Sequence, residues 1–182
     1  MEIYLIRHTT PKIDKGICYG QSDIDVTDQF EDEVAQIMSQ VKFDNTAKIY
    51  SSPLKRCTKL ATKFSEDVFF DNRLKEIDFG DWENKKWDSL PKLDLTTWMD
   101  DFVNVQIPNG ETYNQLYKRA NEAFYEITSI TSKKIIITTH GGVIRSILAN
   151  INNVPLHKSF SIKVEYGQVF KILNNNNIYT VI

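Results

Sequence analysis

Arg7 and His8 follow directly on the apolar run EIYLI (residues 2–6), and His140 follows directly on the β-branched run KIIITT (residues 134–139). The chain holds only three histidines, so two of them stand at the ends of apolar runs. Arg56 lies just beyond a third such run, AKIYS (residues 47–51). Together these residue types suit a phosphoryl group. A guanidinium presents a rigid fork of donors that matches phosphate oxygens, and two of them neutralise a dianion. An imidazole can attack phosphorus and hold the phosphoryl covalently. Such chemistry needs an acid for the leaving oxygen, which later serves as base towards water. Glu76 is the candidate, a charged residue between apolar ones in RLKEIDFG (residues 73–80), just ahead of a glycine turn. The plainer reading of Arg7 and His8 is a strand-end ion pair. Two buried arginines would then need two acids, and these segments offer only Glu76, so a bound phosphate balances the charge better.

These residues need strands to carry them. Residues 2–6, 47–51 and 134–139 read as strands, the last apolar on both faces as a central parallel strand should be. Helices are expected from about Asp28 to Val41, from Ser52-Pro53 to about Phe64 with Ser52 as cap, and from Asn109-Gly110-Glu111 to about Ile130. A further helix starts at His140-Gly141-Gly142, where free N–H groups favour an anion. Residues 161–182 close the chain with two or three strands, and Asn174 to Asn177 reads as a hairpin loop. Thr9 to Thr27 shows no period, and a loop of that length is usually functional. The stretch 71–108 holds all three tryptophans and reads as short helices capping one end of the sheet. The expectation is an α/β three-layer αβα sandwich with a mainly parallel central sheet and a small helical cap. Residues 1–182 are read as one domain with the cap region at 71–108. Ligands of open α/β sheets bind beyond the carboxyl ends of the strands, where Arg7, His8 and His140 fall.

Composition narrows the partners. The 182 residues are 41% hydrophobic and 25% charged, too apolar for a disordered chain. The net charge of −2 shows no basic excess for nucleic acid. No run approaches the ~20 apolar residues of a bilayer span, and MEIYLIRH lacks the features of a signal peptide. A cytoplasmic protein without membrane or nucleic-acid partners is expected. Cys18 and Cys57 are too few for a disulfide framework and read as small packing residues. His157 reads as structural. Asp23, Asp25 and Asp28 lack the glycine and terminal glutamate of a calcium loop.

LIRHT (5–9), SSPLKR (51–56), LKEIDFGDWE (74–83) and THGGVIR (139–145) resemble, in order, the motifs of the histidine phosphatase superfamily, also called phosphoglycerate mutase-like. Any one of them alone is weak, but four in order are specific. The resemblance implies that His8 becomes phosphohistidine, that Arg7, Arg56 and His140 clamp the phosphoryl oxygens, and that Glu76 is the proton donor. It implies no metal and no cofactor, and no HxxxH spacing occurs in the sequence. Within the superfamily, KGICYGQSD (15–23) is similar to the substrate loop of α-ribazole phosphatases, which act late in cobalamin assembly. That likeness implies α-ribazole 5′-phosphate as substrate, with Tyr19, Gly20, Gln21 and Gly141 beside Arg7, Arg56 and His140 in binding it.

Two positions depart from the family pattern. Thr9 stands where glycine is common, and Asp14 stands where mutases carry a phosphate-facing asparagine. A carboxylate there would repel a second phosphate, and the chain lacks room for the extra segment of cofactor-dependent mutases. Both favour a hydrolase of a small-molecule phosphomonoester. The alternatives are a broad-specificity metabolite phosphatase, a mutase, or an inactive phospho-ligand binding protein. Oligomeric state stays open, a dimer being one option.

Overall fold

The two runs that are apolar on both faces become the middle of the sheet. The computed structural model describes residues 1–182, with strands β1 (Glu2–Arg7), β2 (Lys48–Ser51), β3 (Val68–Phe70), β4 (Lys134–Thr139), β5 (Val169–Asn175) and β6 (Ile178–Val181). Its helices are α1 (Phe30–Gln40), α2 (Lys55–Ala61), α3 (Lys92–Asp100), α4 (Tyr113–Ser129) and α5 (Gly141–Ile151). The sheet order is β3-β2-β4-β1-β5-β6, parallel from β3 to β1 and antiparallel at β5 and β6.

Alternation along the strands divides the core in two. Tyr4, Ile6, Ile49 and Ile136 face α1 and α2, where Val34, Ile37 and Leu60 cover them. Ile3, Leu5, Ile135 and Ile137 face the other way, under Leu116, Ala120 and Phe124 of α4 and Ile144 and Ile147 of α5. The result is the three-layer arrangement, with helices on both faces of a mainly parallel sheet. No helix is long and apolar enough to cross a membrane.

Register fixes where the chemistry-bearing residues meet. Arg7 pairs with Thr139 and Ser51 with Thr138, so β1, β4 and β2 end side by side. The ladder continues one residue further, His8 N–H donating to the Thr139 carbonyl and Ser52 N–H to the Thr138 carbonyl, each at 3.0 Å.

Several boundaries differ from the sequence reading. Ser52-Pro53 does not open a helix: Leu54 is still extended (φ −71°, ψ 139°), and α2 runs only from Lys55 to Ala61. Ser52 is held instead by β4 and by His140. Helix α4 starts at Tyr113, not Asn109, because Asn109 is left-handed (φ 54°) and Thr112 forms a capping box with Gln115. Strand β3 has no counterpart in the reading, since three residues at a sheet edge carry no period. Of the two or three closing strands expected, two form, and the hairpin loop is shorter than 174–177: β5 runs through Asn175, and only Asn176 and Asn177, with φ of 52° and 66°, make the turn, the backbone of a type I′ turn.

Residues 9–27 contain no helix or strand and are tied down by isolated bridges Pro11–Val26 and Ile17–Lys86. The second bridge joins this loop to the 71–108 stretch. That stretch holds three short 3-10 helices and α3. Phe79, Trp82, Trp87, Trp98 and Phe102 interlock there with ring centroids 5.4 to 6.3 Å apart.

Candidate active site

His8 is 1% exposed, and its Nδ1–H donates to the Thr9 carbonyl at 2.7 Å. A carbonyl can only accept, so this bond puts the ring proton on Nδ1 and leaves the Nε2 lone pair open. Burial first, then the Arg56 and Arg7 charges, holds the His8 pKa well below the ordinary histidine value. The ring is therefore neutral and nucleophilic at neutral pH. His140 lies beside it, ring centroids 5.1 Å apart, and its pKa is likewise held well below the ordinary value, by burial first and then by the charges of Arg56, His8, Arg7 and Arg119. The Ser52 hydroxyl sits 2.8 Å from His140 Nε2 and the Cys57 sulfur 3.4 Å from the same atom. Together they fix the rotation of the imidazole.

Both arginines bring charge without a carboxylate partner. Arg56 is fully buried, and its Nη atoms donate to the carbonyls of Ser22 (2.8 Å) and Gly20 (2.5 Å). Arg7 Nη1 donates to the Val164 carbonyl at 2.7 Å, and its guanidinium stacks 3.8 Å from the centre of the Tyr166 ring. Neither arginine takes part in an ion pair, and the Nε–H of each is buried without an acceptor. Two guanidinia and a neutral imidazole at the mouth of three parallel strands make a receptor for a tetrahedral dianion.

Glu76 approaches from the 71–108 stretch. Its Oε2 accepts from Gly142 N–H and its Oε1 from Ile77 N–H, both at 3.0 Å. Arg119, on α4, grips the backbone around it, donating to the carbonyls of Arg73, Lys75 and Glu76 at 2.6 to 2.9 Å. Glu111 holds Arg119 in turn at 2.7 Å. The carboxyl group is thereby aimed at the first turn of α5.

Tyr19 lies 5.5 Å from Arg56, and its hydroxyl meets that of Tyr166 at 2.5 Å across the entrance. Gly20 and Gln21 turn their polar groups to the scaffold. The Gly20 carbonyl accepts from Arg56, and Gln21 Nε2 donates to the Glu76 carbonyl at 3.2 Å. Glu83 gathers this loop, accepting from the N–H groups of Gln21 (2.6 Å) and Ser22 (2.7 Å) and from the Ser22 hydroxyl. A β-carbon at Gly141 would stand 3.4 Å from the Arg7 guanidinium, so that glycine lets α5 start against it. Among His, Cys, Asp and Glu side chains, no three converge with metal-holding geometry.

Residues 3–180 match the family model described as histidine phosphatase superfamily, branch 1. The chain belongs to that superfamily.

Its relatives carry different names. A Hydrogenobacter thermophilus protein, provisionally named phosphoserine phosphatase 2, is 26% identical over 178 residues, spanning 93% of this chain and 88% of its own. An Escherichia coli protein, provisionally named phosphoglycerate mutase GpmB, is 28% identical over 166 residues, spanning 85% of this chain and 76% of its own. The crystal structure of the α-ribazole phosphatase from Shigella flexneri superposes with a TM-score of 0.87 at 24% identity, covering 100% of this chain and 94% of that one. At that identity the likeness speaks for the fold. Family membership and the phosphatase-named relatives make this chain a phosphatase.

Within this histidine phosphatase, the structure brings His8, His140, Arg7, Arg56, Glu76 and Gly141 to one point. It adds Ser52, Cys57, Tyr166, Glu83 and Arg119, which the sequence reading did not place in the site. Cys57 packs, as expected, but against the His140 ring. Asp14, Lys12 and Lys15 line an open cleft with Tyr19 and Tyr166, outside the buried centre. His157 is exposed and takes no part in these contacts.

Proposed function

We propose that this protein hydrolyses phosphomonoesters through a phosphohistidine at His8, without a metal, and that its substrate is α-ribazole 5′-phosphate. The observation that carries the chemistry is the pair of guanidinia with no carboxylate partner beside an imidazole whose Nδ1 is tied to Thr9. In the first step His8 Nε2 attacks phosphorus, and the bond to the leaving oxygen breaks as Glu76 passes it a proton. Arg7, Arg56 and His140 hold the equatorial oxygens, whose charge the guanidinia neutralise in a site shielded from water. In the second step water attacks phosphorus, its proton goes to Glu76, and the N–P bond returns its electron pair to His8. Gly20 and Gln21 act by positioning Arg56 and Glu76, and Tyr19 and Tyr166 cover the entrance.

The substrate assignment rests on the KGICYGQSD loop and on the likeness to α-ribazole phosphatases. Asp14 in the outer cleft supports a monophosphate over a bisphosphate. Phosphate release from α-ribazole 5′-phosphate, ribose 5-phosphate and phosphoserine in excess chelator tests both parts. Preferred turnover of α-ribazole 5′-phosphate supports the assignment. Loss of all turnover in chelator removes the metal-free mechanism, and equal turnover of the three removes the substrate.

A further inference from the structure

A pocket of about 100 Å³ opens beside Glu76, walled by Phe79, Trp98, Tyr113 and Phe160, with Arg145 at its edge. An in-line displacement at phosphorus places the leaving oxygen opposite His8, and the group that protonates it must touch it. If Glu76 is that acid, the atoms bonded to the leaving oxygen enter this pocket first. The larger cleft at Tyr19 and Tyr166 does not include Glu76.

The pocket's chemistry is specific. Its walls are mostly aromatic faces and edges, which a small polyol would leave wet. Phe160 is 52% exposed, so its ring is open to a ligand. Arg145 lies 5.0 Å over the Phe160 ring, donates through Nε to the Ile162 carbonyl at 3.1 Å, and joins no ion pair. The indole N–H of Trp98 is buried and has no acceptor in the protein, although buried indole donors normally find one. Aromatic walls beside a guanidinium that joins no ion pair call for a ring that carries an acceptor atom.

We propose that this pocket receives an aromatic ring of the leaving group between Trp98 and Phe160, and that Arg145 bonds an acceptor on that ring or on the sugar joined to it. This deepens the phosphatase reading and depends on Glu76 facing the leaving oxygen. It makes Trp98, Phe160 and Arg145 specificity-determining residues for heteroaryl-bearing alcohol phosphates.

The test compares wild type with Phe160→Leu, Trp98→Leu and Arg145→Gln on phenyl phosphate, α-ribazole 5′-phosphate, ribose 5-phosphate and phosphoserine. Phe160→Leu and Trp98→Leu should raise KM about tenfold for the two aromatic esters and leave ribose 5-phosphate within about twofold. Arg145→Gln should weaken α-ribazole 5′-phosphate and spare phenyl phosphate, which has no acceptor on its ring. Because Trp98 also supports the cap, Phe160→Leu is the variant that decides if Trp98→Leu fails to fold. Binding is measured separately as quenching of tryptophan fluorescence by benzylphosphonate and methylphosphonate, neither of which can turn over. A preference for benzylphosphonate that Phe160→Leu abolishes upholds the pocket even if no ester is hydrolysed, in which case the phosphatase reading alone falls. Equal effects on all ligands overturn the pocket. So does a loss on Arg145→Gln confined to phosphoserine, which would mark Arg145 as a carboxylate receptor.

Discussion

Gly142 stands so close to Glu76 that a β-carbon there would meet Oε1 at 2.3 Å, while the Gly142 N–H donates to Oε2 at 3.0 Å. Glycine at this position lets the first turn of α5 both approach and orient the carboxyl group. Gly142→Ala should therefore displace Glu76 without reaching His8. The expected outcome is a fall in kcat of about a hundredfold on alkyl phosphates and a much smaller fall on p-nitrophenyl phosphate, whose leaving group needs no proton. Matched losses on both ester types would remove Glu76 from the protonation step.

Ser52 and His140 form a second such pair, hydroxyl to Nε2 at 2.8 Å in a fully buried setting. Ser52→Ala leaves the ring with the Cys57 sulfur, a weak partner. Loss of one such hydrogen bond is of order 1 kcal/mol, so kcat/KM should fall about fivefold on every substrate with the far-ultraviolet circular dichroism unchanged. An unaltered kcat/KM would show that the Ser52 contact does not position His140.

Stability should depend on pH through the two buried histidines. Their folded-state pKa values lie well below the ordinary value, by burial first and then by neighbouring arginine charge. In the unfolded chain both return to about 6.5, so below that pH the unfolded state binds more protons. The stability they allow is full above about pH 6.5 and is lost as pH falls towards their folded pKa values, with a slope approaching about 3 kcal/mol per pH unit. Urea midpoints between pH 7.5 and 5 measure it. A curve that stays flat from pH 6.5 to 5, or that is unchanged in His8→Ala, would contradict the buried neutral imidazoles.

The catalytic end of the sheet was legible because strands with no polar face had to be central, and Arg7, His8 and His140 immediately followed them. Glu76 stood out as a charge inside an apolar segment. Other residues carried no such mark. Ser52 before Pro53 looks like a helix cap, and only the register of β2 against β4 reveals that it faces His140. Arg119 lies on the polar stripe of α4, where a charged side chain ordinarily meets water, yet its guanidinium turns inward to three carbonyls. Tyr166 comes from an irregular segment 147 residues beyond Tyr19 and further still from Arg7, and no local pattern brings such distant residues together. Strand β3 was too short to show a period, and Asn109 hid the capping box one turn later.

The central claim is covalent phosphorylation of His8. Wild type and His8→Ala should be mixed with phenyl phosphate in excess chelator, quenched in alkali within one turnover, and mapped by mass spectrometry. The account predicts a phosphoryl group on His8 of the wild type, lost on acid treatment, and neither labelling nor phosphate release in the variant. Phosphate release that continues in His8→Ala, or a label on any other residue, would contradict it.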